Sequence, residues 1–439
     1  MSKLLNNWGI SMGSNKNLEN SNNMTNINGH VVVFVLFSLQ FLIILDSIMI
    51  SPLMIGVMND FNINNTKYIG WLIVGYGIAS GATALISGPL YDNFGKKKTL
   101  ILGASIFILS QLCCALSPNY KCLFLSRGLT GVGAGITLVC IVPYVLDFFT
   151  YKYKKIGLMI GIITSAIYLC CVFGIPLSTY VSDKYSWRYG FGIVSLSTLV
   201  VLILAIFYLK EIKTSTDAST RKINSIINDF KILVSRKRIL FFSINWFFLL
   251  GTNSVVMIFF SQWLSKQYGY SITEIGHVFV ISGLVSFLNS IFFGYLGDKV
   301  DKRKSVIMLY IINTLAFFFY GYSPSIIFID VMMLTIIMAS SSARFSLLYS
   351  IGGEMVEAER RGSFFALQHI FAQFGVGLGP FIVGYLLSYY NFLETNNGYR
   401  EVLLGSGLLL ILSLFLFAIS TNKNLFNEES SDNKFAVEQ

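Results

Sequence analysis

Long apolar runs separated by short polar connections dominate the pattern of this chain. They lie near residues 31–58, 68–90, 98–117, 122–146, 156–181, 188–209, 238–264, 273–296, 304–322, 326–350, 363–388 and 399–420. A helix needs roughly 20 apolar residues to cross the hydrocarbon core of a membrane. The runs are longer than the strands of a membrane barrel and lack their two-residue alternation. The pattern therefore predicts an all-α membrane protein with twelve transmembrane helices.

Two short polar loops repeat one another in the two halves of the chain. The first motif loop, residues 88–98, reads GPLYDNFGKKK, and the second motif loop, residues 294–304, reads GYLGDKVDKRK. Both have the form G-x-L-x-D, a turn and then three cations, and they start 206 positions apart (294 − 88). Gly157 and Gly362 recur at nearly the same offset, 205 (362 − 157). Such an internal repeat is typical of transporters and predicts two pseudo-symmetric six-helix bundles.

Composition and charge support a protein that spans a membrane. The chain is 54% hydrophobic and 12% charged, whereas soluble domains carry about 25% charged residues. The net charge of +10 is concentrated in alternate connections, and this distribution predicts both termini in the cytoplasm. No basic domain lies outside the apolar runs, so we expect no nucleic-acid partner. The predicted location is a bacterial inner (cytoplasmic) membrane.

The polar segments divide the chain into five parts. We predict a disordered cytoplasmic tail over 1–29, a bundle over 30–210, a cytoplasmic linker over 211–237, a second bundle over 238–421 and a tail over 422–439. Apolar residues recur at helical spacing within the linker, which favours an amphipathic helix on the membrane surface. A loosely ordered, solvated linker is the alternative.

Several motifs resemble those of one transporter family. Besides the motif loops, these are Leu45-Asp46 with Pro52 in the first run, RGLTGVGAG over residues 127–135 in the fourth and GIPL over residues 174–177 in the fifth. In order and spacing they resemble the twelve-helix proton-coupled drug and metabolite efflux (antiporter) branch of the major facilitator superfamily, over about residues 30–420. The resemblance implies two bundles that rock around a central site by alternating access.

Asp46 is the first candidate for proton coupling. It lies deep within an apolar run, where an ionised carboxylate costs at least about 2.5–3.5 kcal/mol and burial favours its protonated form. It is therefore a candidate proton carrier, although a carboxylate that only hydrogen-bonds neighbouring helices is the alternative. Arg127 lies inside the fourth run, and the resemblance implies that it influences proton uptake by Asp46.

The motif loops are candidates for a gate. In the resembling family the loop carboxylate meets the start of a helix from the other half. This implies that Asp92 faces the region of Arg361 and Gly362, and that Asp298 faces Gly157. Simple positively charged loops are the alternative, but they leave the repeated aspartate unexplained. The gating candidates are Gly88, Asp92, Gly95, Lys96, Gly294, Asp298 and Arg361.

Polar residues among the aromatic side chains are candidates for substrate contacts. They are Gln40, Asn245, Asn253, Asn289, Arg344, Gln368, His369 and Gln373. For Arg344 the candidate partners are an anionic group of the substrate or Asp330, and a purely structural role is the alternative. His369 could titrate near neutral pH or serve as a hydrogen-bonded packing residue. A polar and aromatic cavity favours an amphipathic organic substrate.

We therefore predict a secondary transporter that exports an amphipathic compound, such as a drug or a siderophore, in exchange for protons. The alternatives are proton-coupled uptake of a nutrient or metal-chelate, and a membrane sensor that has lost turnover. The chain has no Walker sequence, catalytic constellation or metal-ligand spacing, so we expect no enzymatic activity, cofactor or bound metal. The expected partners are the substrate, protons and the lipid bilayer, and the expected assembly state is a monomer.

Overall fold

The structure is a computed structural model, and it describes most of the chain. The described residues are 29–63, 67–149, 156–212, 230–270, 272–322, 326–389 and 397–422. The tails predicted over 1–29 and 422–439 lie almost entirely outside these ranges. So do residues 213–229, which hold most of the predicted linker and its amphipathic helix.

Six long helices form the first half. They are α1 Gly29–Asp60, α2 Lys67–Phe94, α3 Lys96–Ala115, α4 Tyr120–Phe149, α5 Ile156–Lys184 and α6 Trp187–Tyr208. Each contains a stretch long and apolar enough to cross a membrane. The first motif loop joins α2 to α3 through Gly95, whose φ of 125° lies in a region that suits glycine.

Six further helices form the second half. They are α7 Lys237–Tyr268, α8 Ile272–Gly297, α9 Lys302–Tyr322, α10 Ile327–Met355, α11 Arg361–Tyr389 and α12 Asn397–Thr421. Together with the first six they supply 12 candidate membrane spans among the described residues. The predicted all-α membrane fold with twelve transmembrane helices is therefore confirmed, and the helices extend a few residues beyond the predicted apolar runs.

The distribution of side chains is that of a membrane protein. Large apolar side chains are exposed on the outer surface, among them Phe207 and Phe328 at 77% and 74%. Ionisable side chains lie in the interior instead, including Asp46, Arg127 and Arg344. Because lipid solvates apolar groups and cannot hydrogen-bond polar ones, this arrangement suits a bilayer.

The two halves meet mainly through two helix pairs, α2 with α11 and α5 with α8, with smaller contacts of α5 with α10 and of α4 with α11. Glycines allow both pairs to touch along their backbones. A Cβ atom added to Gly88 would lie 2.6 Å from the carbonyl oxygen of Gly362, and one added to Gly294 would lie 2.6 Å from that of Gly157. These contacts lie at the end of the molecule that carries the motif loops, which we call the motif end. The halves are therefore tightly closed there.

Candidate functional site: the transport pathway

The first motif loop carries a carboxylate that reaches the other half. Asp92 lies in the last turn of α2 and accepts hydrogen bonds from the backbone N–H groups of Gly362 and Ser363, both at 3.0 Å. The Ser363 hydroxyl donates a third at 2.9 Å. Gly362 and Ser363 begin α11, where unpaired N–H groups and the helix dipole attract negative charge. Asp92 therefore caps a helix of the opposite half.

The second motif loop repeats this contact. Asp298 follows α8 and accepts hydrogen bonds from the N–H groups of Gly157 at 2.8 Å and of Leu158 at 3.0 Å. These residues begin α5, so Asp298 caps a helix of the first half. The structure thus brings both motif aspartates to the helix starts that the resemblance implied.

A residue that the sequence analysis missed joins the two halves at the motif end. Asp147, near the end of α4, pairs with Lys96 at 2.5 Å and with Arg361 of α11 at 2.8 Å. The hydroxyl of Tyr91 donates to the same carboxylate at 2.9 Å. The Asp147 side chain is 2% exposed, so these charges attract each other with little screening by water. Lys96 and Arg361, both predicted as gating residues, are therefore held by one carboxylate.

The sequence did contain a signal for Asp147. It is the sole acidic residue of α4 and stands at the end of an apolar run, beside loops that are rich in cations. Glu354 occupies the corresponding place in the second half, at an offset of 207 (354 − 147). It pairs with Lys302, just as Asp147 pairs with Lys96.

Asp46 and Arg127 form a buried ion pair in the interior of the first half. Nη1 of Arg127 donates to both carboxylate oxygens of Asp46, at 2.7 and 2.8 Å, and the two side chains are 0% and 1% exposed. Asp46 lies within α1 and Arg127 near the start of α4, so the fold brings together residues that are 81 positions apart in sequence.

Aromatic rings enclose this pair. The guanidinium of Arg127 lies 4.8 Å from the ring centroid of Tyr76 and 5.8 Å from that of Phe191, distances at which cation–π attraction operates. Ser47, next to Asp46, donates to the Tyr76 hydroxyl at 3.0 Å. The pair is thus fixed by helices α1, α2, α4 and α6, and a proton added to Asp46 would weaken its hold on Arg127.

A cavity of about 110 Å³ lies between the halves. Leu138, Val139 and Val142 of α4 form one side, and Trp246, Tyr349 and Phe365 supply an aromatic wall from α7, α10 and α11. Pockets that hold drug-sized ligands measure about 300–1,000 Å³. The cavity must therefore widen before it can enclose such a molecule.

Three predicted substrate-contact residues of α11 line this cavity, namely Gln368, His369 and Gln373. Nε2 of His369 lies 3.1 Å from the hydroxyl of Ser80 on α2 and 3.2 Å from Nε2 of Gln373. Gln368 donates to Ser243 at 2.9 Å. His369 therefore bridges the two halves of the protein at the cavity.

Other predicted contact residues lie away from the cavity lining. Asn245 accepts from Tyr310 and Ser413, both at 2.7 Å, and so joins α7 to α9 and α12. Asn289 donates to the carbonyl of Ala339 at 2.6 Å, joining α8 to α10. Gln40 is buried in α1. These contacts favour roles in helix packing.

Arg344 lies fully buried in α10, and its surroundings correct one expectation. Asp330 was a candidate partner, but the two residues lie on the same continuous helix. Their separation of 14 positions (344 − 330) places them about 21 Å apart along the axis. The observed contacts of Arg344 are instead a hydrogen bond from Nη2 to Ser341 at 3.0 Å and the ring of Tyr310 at 4.4 Å. Asn253 of α7 is part of the same group, because its carbonyl accepts from Ser341 at 3.0 Å.

Comparison with curated proteins finds similar sequences among membrane transporters and resistance proteins. The chain is 22% identical over 389 residues to an uncharacterised MFS-type transporter, YceJ, of Bacillus subtilis (strain 168), covering 88% of this chain and 95% of that protein. It is 25% identical over 286 residues to multidrug resistance protein 2 of the same organism, covering 64% of this chain and 70% of that protein.

Solved structures show the same fold at low sequence identity. The proton:xylose symporter XylE has a TM-score of 0.72 at 14% identity, covering 88% of this chain and 94% of that one. The human organic anion transporter MFSD10 has a TM-score of 0.67 at 13% identity, covering 88% and 97%. The sequence model described as Major Facilitator Superfamily matches residues 36–260 and 244–435. This chain is therefore a member of the major facilitator superfamily, with its twelve-helix fold.

Proposed function

We propose that the protein exports an amphipathic organic compound in exchange for protons, by alternating access between the two sides of a membrane. The observation that carries this proposal is the buried pair of Asp46 and Arg127. An ionisable pair within a membrane span is expensive, and it is the group in the first half best suited to take up and release a proton.

Coupling follows from competition for the Asp46 carboxylate. When the carboxylate is ionised, it holds Arg127 through two hydrogen bonds. Protonation removes its charge and leaves the guanidinium to its aromatic neighbours, Tyr76 and Phe191. The same event thus changes contacts among four helices of the first half, and it can bias the rocking of that half against the other.

The motif end acts as one gate in this cycle. Two carboxylate caps, Asp92 and Asp298, and the ion pair of Asp147 with Arg361 cross the interface between halves there. We place this end in the cytoplasm of a bacterial inner membrane, because the cations of the motif loops obey the positive-inside rule. The protein then faces outwards when these contacts are formed.

Relatives support export over uptake. Besides multidrug resistance protein 2, the chain is 27% identical over 179 residues to a lincomycin resistance protein of Streptomyces lincolnensis. That match covers 40% of this chain and 36% of that protein. The aromatic wall of the cavity suits the amphipathic organic molecules that such names suggest.

The test uses energised inside-out membrane vesicles and a panel of amphipathic dyes that includes rhodamine 123. We expect proton-dependent accumulation of at least one dye by the wild-type protein. Asp46→Asn should abolish the dependence on the proton gradient, whereas Glu354→Gln, an exposed carboxylate at the motif end, should preserve it.

Two outcomes would contradict the proposal. Accumulation by whole cells but not by inside-out vesicles would indicate uptake. Flux that is unchanged when Asp46→Asn, Arg127→Ala and Asp92→Asn are combined would indicate that the pair and the gate play no part in transport.

A further inference from the structure

Arg344 is a buried cation whose hydrogen-bonding capacity is mostly unused. Its side chain is 0% exposed, and one of its nitrogens, Nη2, donates to Ser341. Its other two nitrogens, Nε and Nη1, have no hydrogen-bond partner in the part of the chain that the structure describes. Arg127 pairs with Asp46, but the ion pairs found among the described residues do not include Arg344.

Neighbouring side chains add further unpartnered donors. Ser341, which accepts from Arg344, donates in turn to Asn253 of α7. The Nδ2 amide of Asn253 and the hydroxyl of Tyr168 on α5, a helix that packs against α10, are both buried without a hydrogen-bond partner among the described residues. Donors thus come from α5 in the first half and from α7 and α10 in the second. An oxyanion is the group that such a set complements.

A ring contact joins the part of α10 that carries this cation to the aromatic wall of the cavity. Phe345, the next residue on α10, stacks on Trp246 with ring centroids 5.7 Å apart, and Trp246 meets Tyr349 at 4.7 Å. Trp246 and Tyr349 line the cavity. Arg344 itself stacks on Tyr310, whose hydroxyl donates to Asn245, the residue before Trp246. An apolar body that lies against Trp246 in the cavity is therefore connected to the guanidinium by short contacts along two routes.

From these contacts we propose that Arg344 binds the carboxylate of an amphipathic aromatic acid whose ring lies against Trp246 in the cavity. This inference rests on the proposed transport function and specifies its substrate class. Nη2 carries a second N–H beside the one that donates to Ser341, and this group together with Nε or with Nη1 can meet both oxygens of a carboxylate, which a lysine could not do with the same geometry. The cavity must widen towards Arg344 to admit the acid.

The experiment measures binding to the purified full-length protein in detergent by thermal unfolding. The probes are 2-naphthoate and indole-3-acetate, each compared with its neutral amide, 2-naphthamide and indole-3-acetamide. The wild-type protein should bind at least one acid about 10- to 100-fold more tightly than its amide, the range expected for hydrogen bonds to a charged group. Sodium chloride at matched ionic strength tests whether a small inorganic anion is sufficient.

The variants are Arg344→Gln, Arg344→Lys and Arg400→Gln. Arg344→Gln should remove the preference for the acid, and Arg344→Lys should leave an intermediate preference. Without ligand, Arg344→Gln should unfold at the same temperature as the wild type or higher, because an unpaired buried charge is gone.

Arg400 stacks on Tyr322 at 4.6 Å, much as Arg344 stacks on Tyr310, but its side chain is exposed. Arg400→Gln should keep the preference.

Several results would overturn the inference. These are equal binding of acids and amides across the panel, a preference that survives in Arg344→Gln, and the same Arg344-dependent shift with chloride alone. A lower unfolding temperature of Arg344→Gln without ligand, together with no change in binding, would assign Arg344 a structural role.

The binding assay separates this inference from the proposed function. Acid binding that depends on Arg344, without any proton-driven flux, would uphold the inference and contradict transport. Proton-driven flux of the dye panel that is unchanged in Arg344→Gln, with no acid preference, would uphold transport and contradict the inference.

Discussion

The two motif loops share a sequence pattern and a helix-capping contact, but they differ in how their cations are held. In the first loop, Lys96 pairs with Asp147, and the two side chains are 4% and 2% exposed. In the second, the corresponding pair is Lys302 with Glu354, at 20% and 65%. Asp147 also binds Arg361 from the other half. The position that corresponds to Arg361 at the 206-residue offset is Lys155 (361 − 206), which lies outside the described residues.

The two copies of the bundle thus differ in the free energy that their ion pairs contribute. Exposed ion pairs contribute about 0–1 kcal/mol because water screens them, whereas breaking a buried pair by removing one partner costs about 3–5 kcal/mol. The glycine contacts are nearly equal in the two loops, and the aspartate caps differ by a single hydrogen bond. We therefore infer that the first loop contributes more to closure of the motif end than the second does.

Removal of the carboxylate of Asp147 should have the largest effect. Asp147→Asn leaves Lys96 and Arg361 without their shared partner, a loss of about 3–5 kcal/mol for a buried charge. Thermal unfolding of the purified protein should shift clearly to lower temperature. Dye flux in vesicles should fall by at least about tenfold, the equivalent of 1.4 kcal/mol.

The matched control for Asp147→Asn is Glu354→Gln in the second loop. Its expected effect on stability is at most about 1 kcal/mol, because the pair with Lys302 is exposed. Equal losses of stability in Asp147→Asn and Glu354→Gln would contradict the inferred difference between the loops.

Alanine at the contact glycines should have the next largest effect, and here the two loops should behave alike. The added methyl group of Gly88→Ala or Gly294→Ala would lie 2.6 Å from a backbone oxygen of the opposite half, and overpacking of this kind costs about 1–3 kcal/mol. Both variants should lower the unfolding temperature and dye flux to a similar degree. Gly128→Ala is the control, since a Cβ atom there meets nothing within 4 Å. A loss at one glycine alone would mean that the interfaces differ in packing as well as in charge.

Removing the charge of the two aspartate caps should reveal a smaller difference in stability between the loops. Asp92 accepts three hydrogen bonds and Asp298 accepts two, so Asp92→Asn should destabilise the protein by about 1 kcal/mol more than Asp298→Asn. In a Ser363→Ala background the two substitutions should become equivalent, because the extra bond comes from the Ser363 hydroxyl. The measurement is the unfolding of Asp92→Asn and of Asp298→Asn, each alone and each combined with Ser363→Ala. A difference in stability between the two aspartate variants that persists in the Ser363→Ala background would contradict this explanation.

Asp60 lies at the end of the molecule opposite the motif end. Its substitution should have the smallest effect on stability at neutral pH and a distinct pH dependence. Hydrogen bonds from Trp187 and then from Arg188 hold the pKa of Asp60 below its ordinary value of 3.8. A lowered pKa means that the stabilisation is fully present above about pH 4 and is lost as the pH falls through the folded-state pKa.

The measurement for Asp60 is the difference in unfolding temperature between the wild type and Asp60→Asn from pH 7 to pH 3. The difference should stay constant near neutrality and shrink below about pH 4. Because this ion pair lies within the first half, dye flux should stay near the wild-type level, in contrast to Asp147→Asn. A difference that grows on acidification would contradict the assigned contacts.

Local sequence was sufficient to predict the helices and the duplication. Each transmembrane helix is specified by its own run of apolar residues, since lipid requires the backbone to hydrogen-bond within the segment. The contact of Asp92 with Gly362 could be expected too, because the motif loops carried a resemblance to a family with known geometry. The interior charges Asp46 and Arg127 were conspicuous because ionisable residues are rare in such runs.

Pairings between distant residues were decided by the tertiary structure. Asp147 joins Lys96 and Arg361, 51 and 214 positions away, and no local pattern specifies which of several cations a lone aspartate will meet. The fold likewise placed Asn245 between helices and His369 at the cavity, although both are polar residues in apolar runs. A single sequence determines which segments enter the membrane, because insertion depends on each segment alone. Which polar groups meet there depends on the rotation and packing of helices, and those are set by the whole assembly.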